Sequence, residues 1–527
     1  VPGPVVTDFV SLWDLIEQRA ALTPDHVIAT DEDHRSLTCV QYRDEVLRVA
    51  AGLHGLGVGR DTNVSWILPT WLEAFVLVGA LARLEAVQNP MLPIYRDREV
   101  RFITKQTGAR LVITPSEWKG FDYAGMCREA AADVPGLEVL VCDRGRPGSV
   151  TGTLPVGDPA TLPAFTPVPD APSAPVRWIF YSSGTTADPK GARHTDPSVR
   201  ASADAMTGAL ALTDDDVFGL VFPFTHIGGQ TWTFSALMSG CKLVFVEAFV
   251  PAVAIPFLRG EDITLAGAGT PFHMAYLDAQ RQLPAGEALF PKVRAFPGGA
   301  SAKPPQLHYD ILAEMGGVGI ASGYGLTEFP IATMAHVTDD PDELAYAEGR
   351  PGPDVQLKIV TLDGRIAGVD EEGEIRTKGR QMFRGYVDAS LDEKAWDEDG
   401  WFHTGDLGKL NPAGNIVITG RLKDVIIRKG ENISAKEVED LLFTHPKIAD
   451  VAVIGVPDPA LGERCCAVVQ PASAGDPPTL AEVFEFCRDA GLMTQKIPEQ
   501  LEVVDVMPRN PAGKVLKNDL RTRYAPD

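Results

Sequence analysis

The sequence is short of the features that commit a protein to a membrane, a nucleic acid or an oxidising compartment. No stretch approaches the length of an uncharged membrane span. The opening VPGPVVTDFVSLWDLIEQRA carries acids early and lacks a basic start with an apolar core, so no signal peptide is expected. Basic residues are outnumbered, 48 Lys and Arg against 71 Asp and Glu, and the formal charge of −23 argues against broad binding to nucleic acid or anionic lipid. An anionic ligand would have to be met by a local cationic pocket. The seven cysteines, with Cys465 and Cys466 adjacent, make neither a disulfide framework nor a metal-ligand spacing, so reduced thiols in the cytoplasm are expected. A Walker A sequence is also missing. The candidate loop has Lys190 before Gly191 and then Ala192 and Arg193, where a P-loop needs Gly-Lys followed by Ser or Thr.

What is present is ordinary globular composition, 45% hydrophobic and 23% charged, in a chain long enough for two or more domains. Strand-like stretches at 26–30, 63–68, 110–114 and 137–142 alternate with amphipathic segments such as 71–85. That rhythm predicts α/β layers with parallel strands. Residues 145–175, rich in Pro and Gly, read as a long surface connection, after which a second alternating region runs to 335. VQLKIV (355–360) and GNIVITG (414–420) look like hairpin strands. The tail reads as a compact α+β unit, with capping boxes at Ser434/Glu437 and Thr479/Glu482 and strands at 449–456, 465–470 and 501–505. The expected division is a domain over 1–421 and a smaller one over 422–527.

Five segments carry chemistry. YSSGTTADPKG (181–191) follows a buried strand-like run. Its small residues let backbone N–H groups approach a ligand, its hydroxyls donate, and Lys190 adds a charge, which suits a polyphosphate; the alternative is a surface turn. In GYGLTE, Tyr324 offers a flat face for a purine, Thr327 a hydroxyl for phosphate and Glu328 an oxygen ligand for Mg²⁺, unless the hexapeptide is merely a turn ahead of a helix. In WFHTGDLG, Asp406 accepts hydrogen bonds from ribose hydroxyls or simply turns the chain. Arg421, in GRLKDVIIRKGEN, either clamps ribose or phosphate or belongs to a solvated basic stretch, and Lys514, just after a Pro-Ala-Gly turn in PRNPAGK, is either a site group or a surface lysine.

Together these segments resemble the adenylate-forming superfamily, which includes acyl-CoA synthetases, nonribosomal adenylation domains and luciferases. They occur in that family's order and approximate separations over residues 176–520. The resemblance implies a large N-terminal α/β domain of two layered, mostly parallel sheets with a small β-barrel. It also implies a small mobile α+β lid, hinged near Lys423. ATP, Mg²⁺ and coenzyme A are the implied cofactors and co-substrates. A carboxylate attacks the α-phosphate of ATP, pyrophosphate leaves, the lid rotates, and a thiol displaces AMP. On this reading Ser182, Ser183, Gly184, Thr185, Thr186 and Lys190 hold the departing pyrophosphate, while Tyr324, Gly325, Thr327, Asp406 and Arg421 hold the rest of the nucleotide. Lys514 bridges the attacking carboxylate and the α-phosphate, and Gly430 leaves a passage for pantetheine, with Arg428 and Lys429 near CoA phosphates. The catalytic candidates are Lys514, Glu328, Thr185 and His226. The phosphate loop departs from the family pattern at Ala187, where relatives usually carry glycine.

FPFTHIGGQTWTF corresponds to the family's carboxylate-pocket stretch. His226 either orients or gates the acid or is a packed core histidine, and Gly228 and Gly229 are expected to leave space. With Gly267, Gly269, Thr270, Pro271, Gly299 and Ala300 the lining reads as small and neutral, which fits an uncharged hydrophobic acid. Residues 89–122 resemble a subgroup of the family that activates alicyclic and medium-chain carboxylates such as cyclohexanecarboxylate, which implies an acid of that kind. The rival readings are an acyl-AMP ligase feeding a carrier protein, a luciferase-like oxygenase, and a non-catalytic nucleotide-binding relative.

Overall fold

Short β-branched and aromatic runs, bounded by Gly and Pro turns, assemble into two sheets that share one apolar core. The computed structural model describes residues 3–146, 148–166, 174–182, 188–299, 303–429, 431–510 and 513–525. The larger sheet has six strands in the order Lys190–His194, Trp178–Ser182, Val87–Pro90, Asn63–Trp66, Leu111–Thr114 and Glu138–Val141, parallel except for the first pair. The other has Val217–Leu220, Lys242–Phe245 and Val27–Asp31 in parallel and an antiparallel edge, Ser36–Thr38. Side chains from both, among them Trp66, Phe180, Phe218 and Phe245, meet in a single cluster.

Helix Leu72–Arg83, expected to be amphipathic, is instead buried nearly all round, because helices Leu12–Leu22 and Cys39–Gly55 and two strands enclose it. Phe75 stacks on Tyr42 with ring centroids 4.0 Å apart. Even its Glu73 is fully buried. Arg35 reaches that carboxylate at 2.5 Å and Asp31 at 2.6 Å, so one guanidinium compensates two buried acids.

A third region is antiparallel apart from the parallel pairing of Phe296–Gly298 with its first strand. The hairpin Ile320–Leu326 and Phe329–Met334 packs on the four-stranded sheet Gln356–Val360, Gly373–Lys378, Phe402–Leu410 and Ile416–Arg421 through Tyr324, Phe329, Ala332, Ile359, Ile375 and Ile416. GYGLTE is therefore strand and hairpin turn, not a turn ahead of a helix. The chain then makes one turn of 3₁₀-helix, Leu422–Asp424, and enters a separate five-stranded sheet at Ile426–Arg428. That C-terminal sheet carries helices Ala435–Leu442, Leu480–Asp489 and Lys517–Tyr524.

The two caps expected in the tail differ. Thr479 and Glu482 make the full reciprocal box. Ser434 accepts the Glu437 N–H at 3.3 Å, but the Glu437 carboxylate turns to Lys496 at 2.6 Å, a charge-assisted bond that outcompetes a neutral backbone donor. The Ser434 hydroxyl in turn donates to the Thr419 carbonyl at 2.6 Å and so ties the tail to the preceding sheet.

Candidate functional site

The two lobes enclose a cavity of about 400 Å³ lined by Thr270, Tyr324, Asp406, Arg421, Lys423 and Lys514, among others. Strand register builds one wall. Asp406 sits opposite Arg421 in adjacent antiparallel strands, with Arg421 Nε 2.9 Å from Asp406 Oδ1. Tyr324 Oη donates to Oδ2 at 2.8 Å. Asp406 thus lies within a strand, just after Gly405 at φ +70°, and does not turn the chain. An ionised carboxylate accepts at about four lone-pair positions, so two remain for vicinal hydroxyls of a ligand. Gly325 serves closure of the hairpin, since a Cβ there would fall 2.5 Å from the Ile331 nitrogen. Gly299 backs onto the same hairpin, where a Cβ would meet the Gly323 carbonyl at 3.1 Å.

The C-terminal domain contributes Lys514 on a turn closed by Asn510, whose side chain accepts the Lys514 N–H at 2.9 Å and whose own N–H reaches the Lys514 carbonyl at 2.8 Å. Gly513, at φ +84°, lies against Pro271 at the start of helix Thr270–Arg281; a Cβ would come within 2.8 Å of its ring. Burial, with Arg421 and Lys423 as cationic neighbours, brings the Lys514 ammonium down to about 8, against the pull of Asp406 and Asp424.

A second group stands beside this cavity. Ser182 and Lys190 face each other across an antiparallel pair at the root of the phosphate-loop candidate. Glu328, in the hairpin turn, is buried and accepts a hydrogen bond from Tyr386 Oη at 2.8 Å. Burial raises its pKa, while Tyr386 and the Lys190 charge oppose the rise. The neighbouring Thr327 carbonyl is held by His194 Nε2 at 2.8 Å. Among the described residues no three His, Cys, Asp or Glu cluster as a complete metal cage. One carboxylate with an open oxygen suits Mg²⁺, which usually takes one or two carboxylates and completes its shell with phosphates and water.

Other expected residues lie apart. His226 caps helix Ile227–Ser239, with Nδ1 accepting the Gly228 N–H at 3.1 Å, so the neutral ring carries its proton on Nε2. Burial depresses its basicity to about 4. Gly228 and Gly229 do not open space: a Cβ on Gly228 would sit 3.1 Å from His226 Nδ1, and one on Gly229 2.4 Å from the Phe224 carbonyl. Gly267 likewise yields to the Phe218 ring, itself stacked on Trp232 at 3.5 Å. These glycines permit close packing, which sequence alone cannot tell from an empty pocket. A second cavity of about 380 Å³ is lined by Phe222, Phe249, Phe272 and Trp118 together with the charged Arg96, Lys119 and Glu247. Arg428 is held by Glu499 at 2.6 Å, and neither it nor Lys429 lines the interlobe cavity. Ser183, Gly184, Thr185, Thr186, Ala187, Ala300 and Gly430 fall outside the described residues. Sequence reasoning missed Tyr386 and Asn510; an aromatic directly after Gly385 was the signal for the first.

The comparisons agree with this architecture. Residues 16–387 match the AMP-binding enzyme family and residues 437–514 the AMP-binding enzyme C-terminal domain, so the chain belongs to the adenylate-forming AMP-binding enzymes. It is 29% identical to the medium-chain fatty-acid–CoA ligase of Escherichia coli (strain K12), over 98% of this chain and 92% of that protein. It is 30% identical to the salicyl-AMP ligase / salicyl-S-ArCP synthetase of Mycobacterium tuberculosis, over 96% and 89%. The crystal structure of ATP-bound MatB from Rhodopseudomonas palustris superposes with a TM-score of 0.85 at 25% identity, covering 97% of this chain and 99% of that one. No helix among the described residues is long and apolar enough to cross a membrane.

Proposed function

We propose that this chain is a cytoplasmic ATP-dependent acyl-CoA synthetase acting on an uncharged hydrophobic carboxylic acid. The observation that carries the reading is the gathering of Tyr324, Asp406, Arg421 and the lid lysine, Lys514, around one cavity. In the first half-reaction a carboxylate oxygen of the acid bonds to the α-phosphorus of ATP and the bond to pyrophosphate breaks. Tyr324 and Asp406 receive adenine and ribose, and Arg421 holds the ribose wall. The Lys514 ammonium bridges the incoming carboxylate and the α-phosphate oxygens, where negative charge gathers in the transition state. Magnesium, when bound at Glu328, neutralises phosphate charge. Ser182 and Lys190, with the loop between them, receive the leaving pyrophosphate. In the second half-reaction the thiol sulfur of coenzyme A bonds to the acyl carbon, the bond to AMP breaks, and the thiol proton is lost to solvent. The proposed division is residues 1–421 as the adenylation domain and 422–527 as a lid that turns about Lys423 between the steps.

The acid reading rests on His226, neutral with an Nε2–H donor, and on the aromatic residues Phe222, Phe249 and Phe272 of the neighbouring cavity, whose rim also carries Arg96, Lys119 and Glu247. It favours alicyclic or medium-chain acids. A second reading, adenylate formation followed by transfer to a carrier protein, is supported by the salicyl-AMP ligase among the relatives. A panel of acids assayed for pyrophosphate and for AMP, with and without CoA, tests both. Acid-dependent pyrophosphate release with CoA-dependent AMP turnover supports the synthetase. Acid-dependent release indifferent to CoA supports the ligase, and no acid-dependent release refutes both.

A further inference from the structure

Tyr386 belongs to none of the motifs that suggested the chemistry, yet its side chain touches two of them. Its hydroxyl donates to Glu328 Oε1 at 2.8 Å, and its ring lies 5.6 Å from Lys190 Nζ, within cation–π range. Tyr386 is 5% exposed and Glu328 8%, so neither group is a solvated surface side chain. The backbone around Tyr386 is clamped from both directions. Arg384 N–H donates to the Arg193 carbonyl at 2.6 Å and Val387 N–H to the Gly191 carbonyl at 2.8 Å, which lays the segment along strand Lys190–His194. Phe383 N–H donates to the Glu328 carbonyl at 3.0 Å, and Tyr386 N–H to Asp392 Oδ1 at 2.8 Å. Phe383 also packs edge-on against the Tyr386 ring at 4.8 Å. The phenol therefore has little freedom to leave the carboxylate.

We infer that Tyr386 is a positioning residue for the metal-binding carboxylate. By holding Oε1 of Glu328 it would leave the other oxygen for the cation, and its ring holds the Lys190 ammonium near that carboxylate. This rests on the proposed roles of Glu328 as magnesium ligand and Lys190 as pyrophosphate ligand. A ligating carboxylate held by an outer hydrogen bond loses orientational freedom, and removal of such a partner typically weakens metal affinity about 10–100-fold.

The test pairs Tyr386→Phe, which keeps the ring, with Tyr386→Leu, which removes it. Manganese affinity is read by electron paramagnetic resonance of the free ion, with a non-hydrolysable ATP analogue present. The magnesium requirement is read from acid-dependent ATP–pyrophosphate exchange. Tyr386→Phe is expected to weaken manganese binding and raise the half-maximal magnesium concentration about tenfold or more. The KM for pyrophosphate and the conversion of supplied acyl-adenylate to thioester should stay at parental values. Tyr386→Leu should add a rise in the pyrophosphate KM. Parental manganese affinity and magnesium requirement in Tyr386→Phe would overturn the inference, as would a fall in kcat alone. Glu328→Gln separates the layers: if it leaves manganese binding intact, the metal role of Glu328 fails. If it weakens binding and Tyr386→Phe does not, only the role of Tyr386 fails.

Discussion

The two sides of the interlobe cavity are built by opposite means. On the large lobe, Asp406 and Arg421 face each other across neighbouring strands, and Tyr324 reaches the same carboxylate from a third. Register and ladder hydrogen bonds hold that wall whether or not a ligand is present. On the C-terminal domain, Lys514 depends on a short turn pinned by Asn510 and on the contact of Gly513 with Pro271. A ready-made wall suits binding of nucleotide before chemistry. A cation on a docked turn can be brought up for one step and withdrawn for the next.

The sharpest way to break this contrast is Lys514→Ala. It should lower acid-dependent ATP–pyrophosphate exchange by about 3–4 kcal/mol, a few hundredfold, and leave thioester formation from supplied acyl-adenylate intact. Unchanged exchange would remove the lid from the first step. Asp406→Ala attacks the other side. It leaves the Tyr324 hydroxyl without its acceptor and should raise the apparent KM for ATP by about 1–3 kcal/mol, with the KM for CoA unchanged. An effect confined to CoA would contradict ribose binding.

The pH dependence is subtler. The Lys514 ammonium, lowered to about 8, loses its proton as pH rises through that value. The kcat/KM for adenylation, which reports the free enzyme, should therefore fall above about pH 8. Bound ATP adds negative charge, so the kcat limb should lie higher. Lys423→Gln removes one of the cations that depress Lys514 and should move the kcat/KM limb toward higher pH; an unmoved limb would assign it to another group. The smallest effect is expected of Ser434→Ala, which deletes a helix cap and the bond to the Thr419 carbonyl. A loss of about 1 kcal/mol in denaturant titration, with adenylation little changed, would mark it as a tether rather than a catalytic contact.

Much of this was legible beforehand, and the misses have one character. The strand at 111–114, the full capping box at Thr479 and the α/β layers with parallel strands follow from local pattern, because period and cap chemistry act over a few residues. Glu437 looked like the partner of Ser434, but Lys496 claims its carboxylate from another element. Residues 71–85 looked amphipathic, yet the helix is buried nearly all round and Arg35 makes burial of its Glu73 tolerable. Gly229 and Gly267 read as open pocket, but neighbouring side chains and backbone fill the volume they leave.

The amino-acid order alone determined the chemical kit: a hydroxyl-rich loop with one lysine, the acid of GYGLTE, the aspartate of WFHTGDLG, Arg421 and a lysine near the end, in a chain of formal charge −23. Only the tertiary structure decided how those groups behave. It buried Glu328 under Tyr386, brought Lys514 among Arg421, Lys423 and Asp406, and left His226 neutral at a helix cap. The type of a side chain states what it can donate or accept, whereas its charge and direction are set by desolvation and by neighbours far away along the chain.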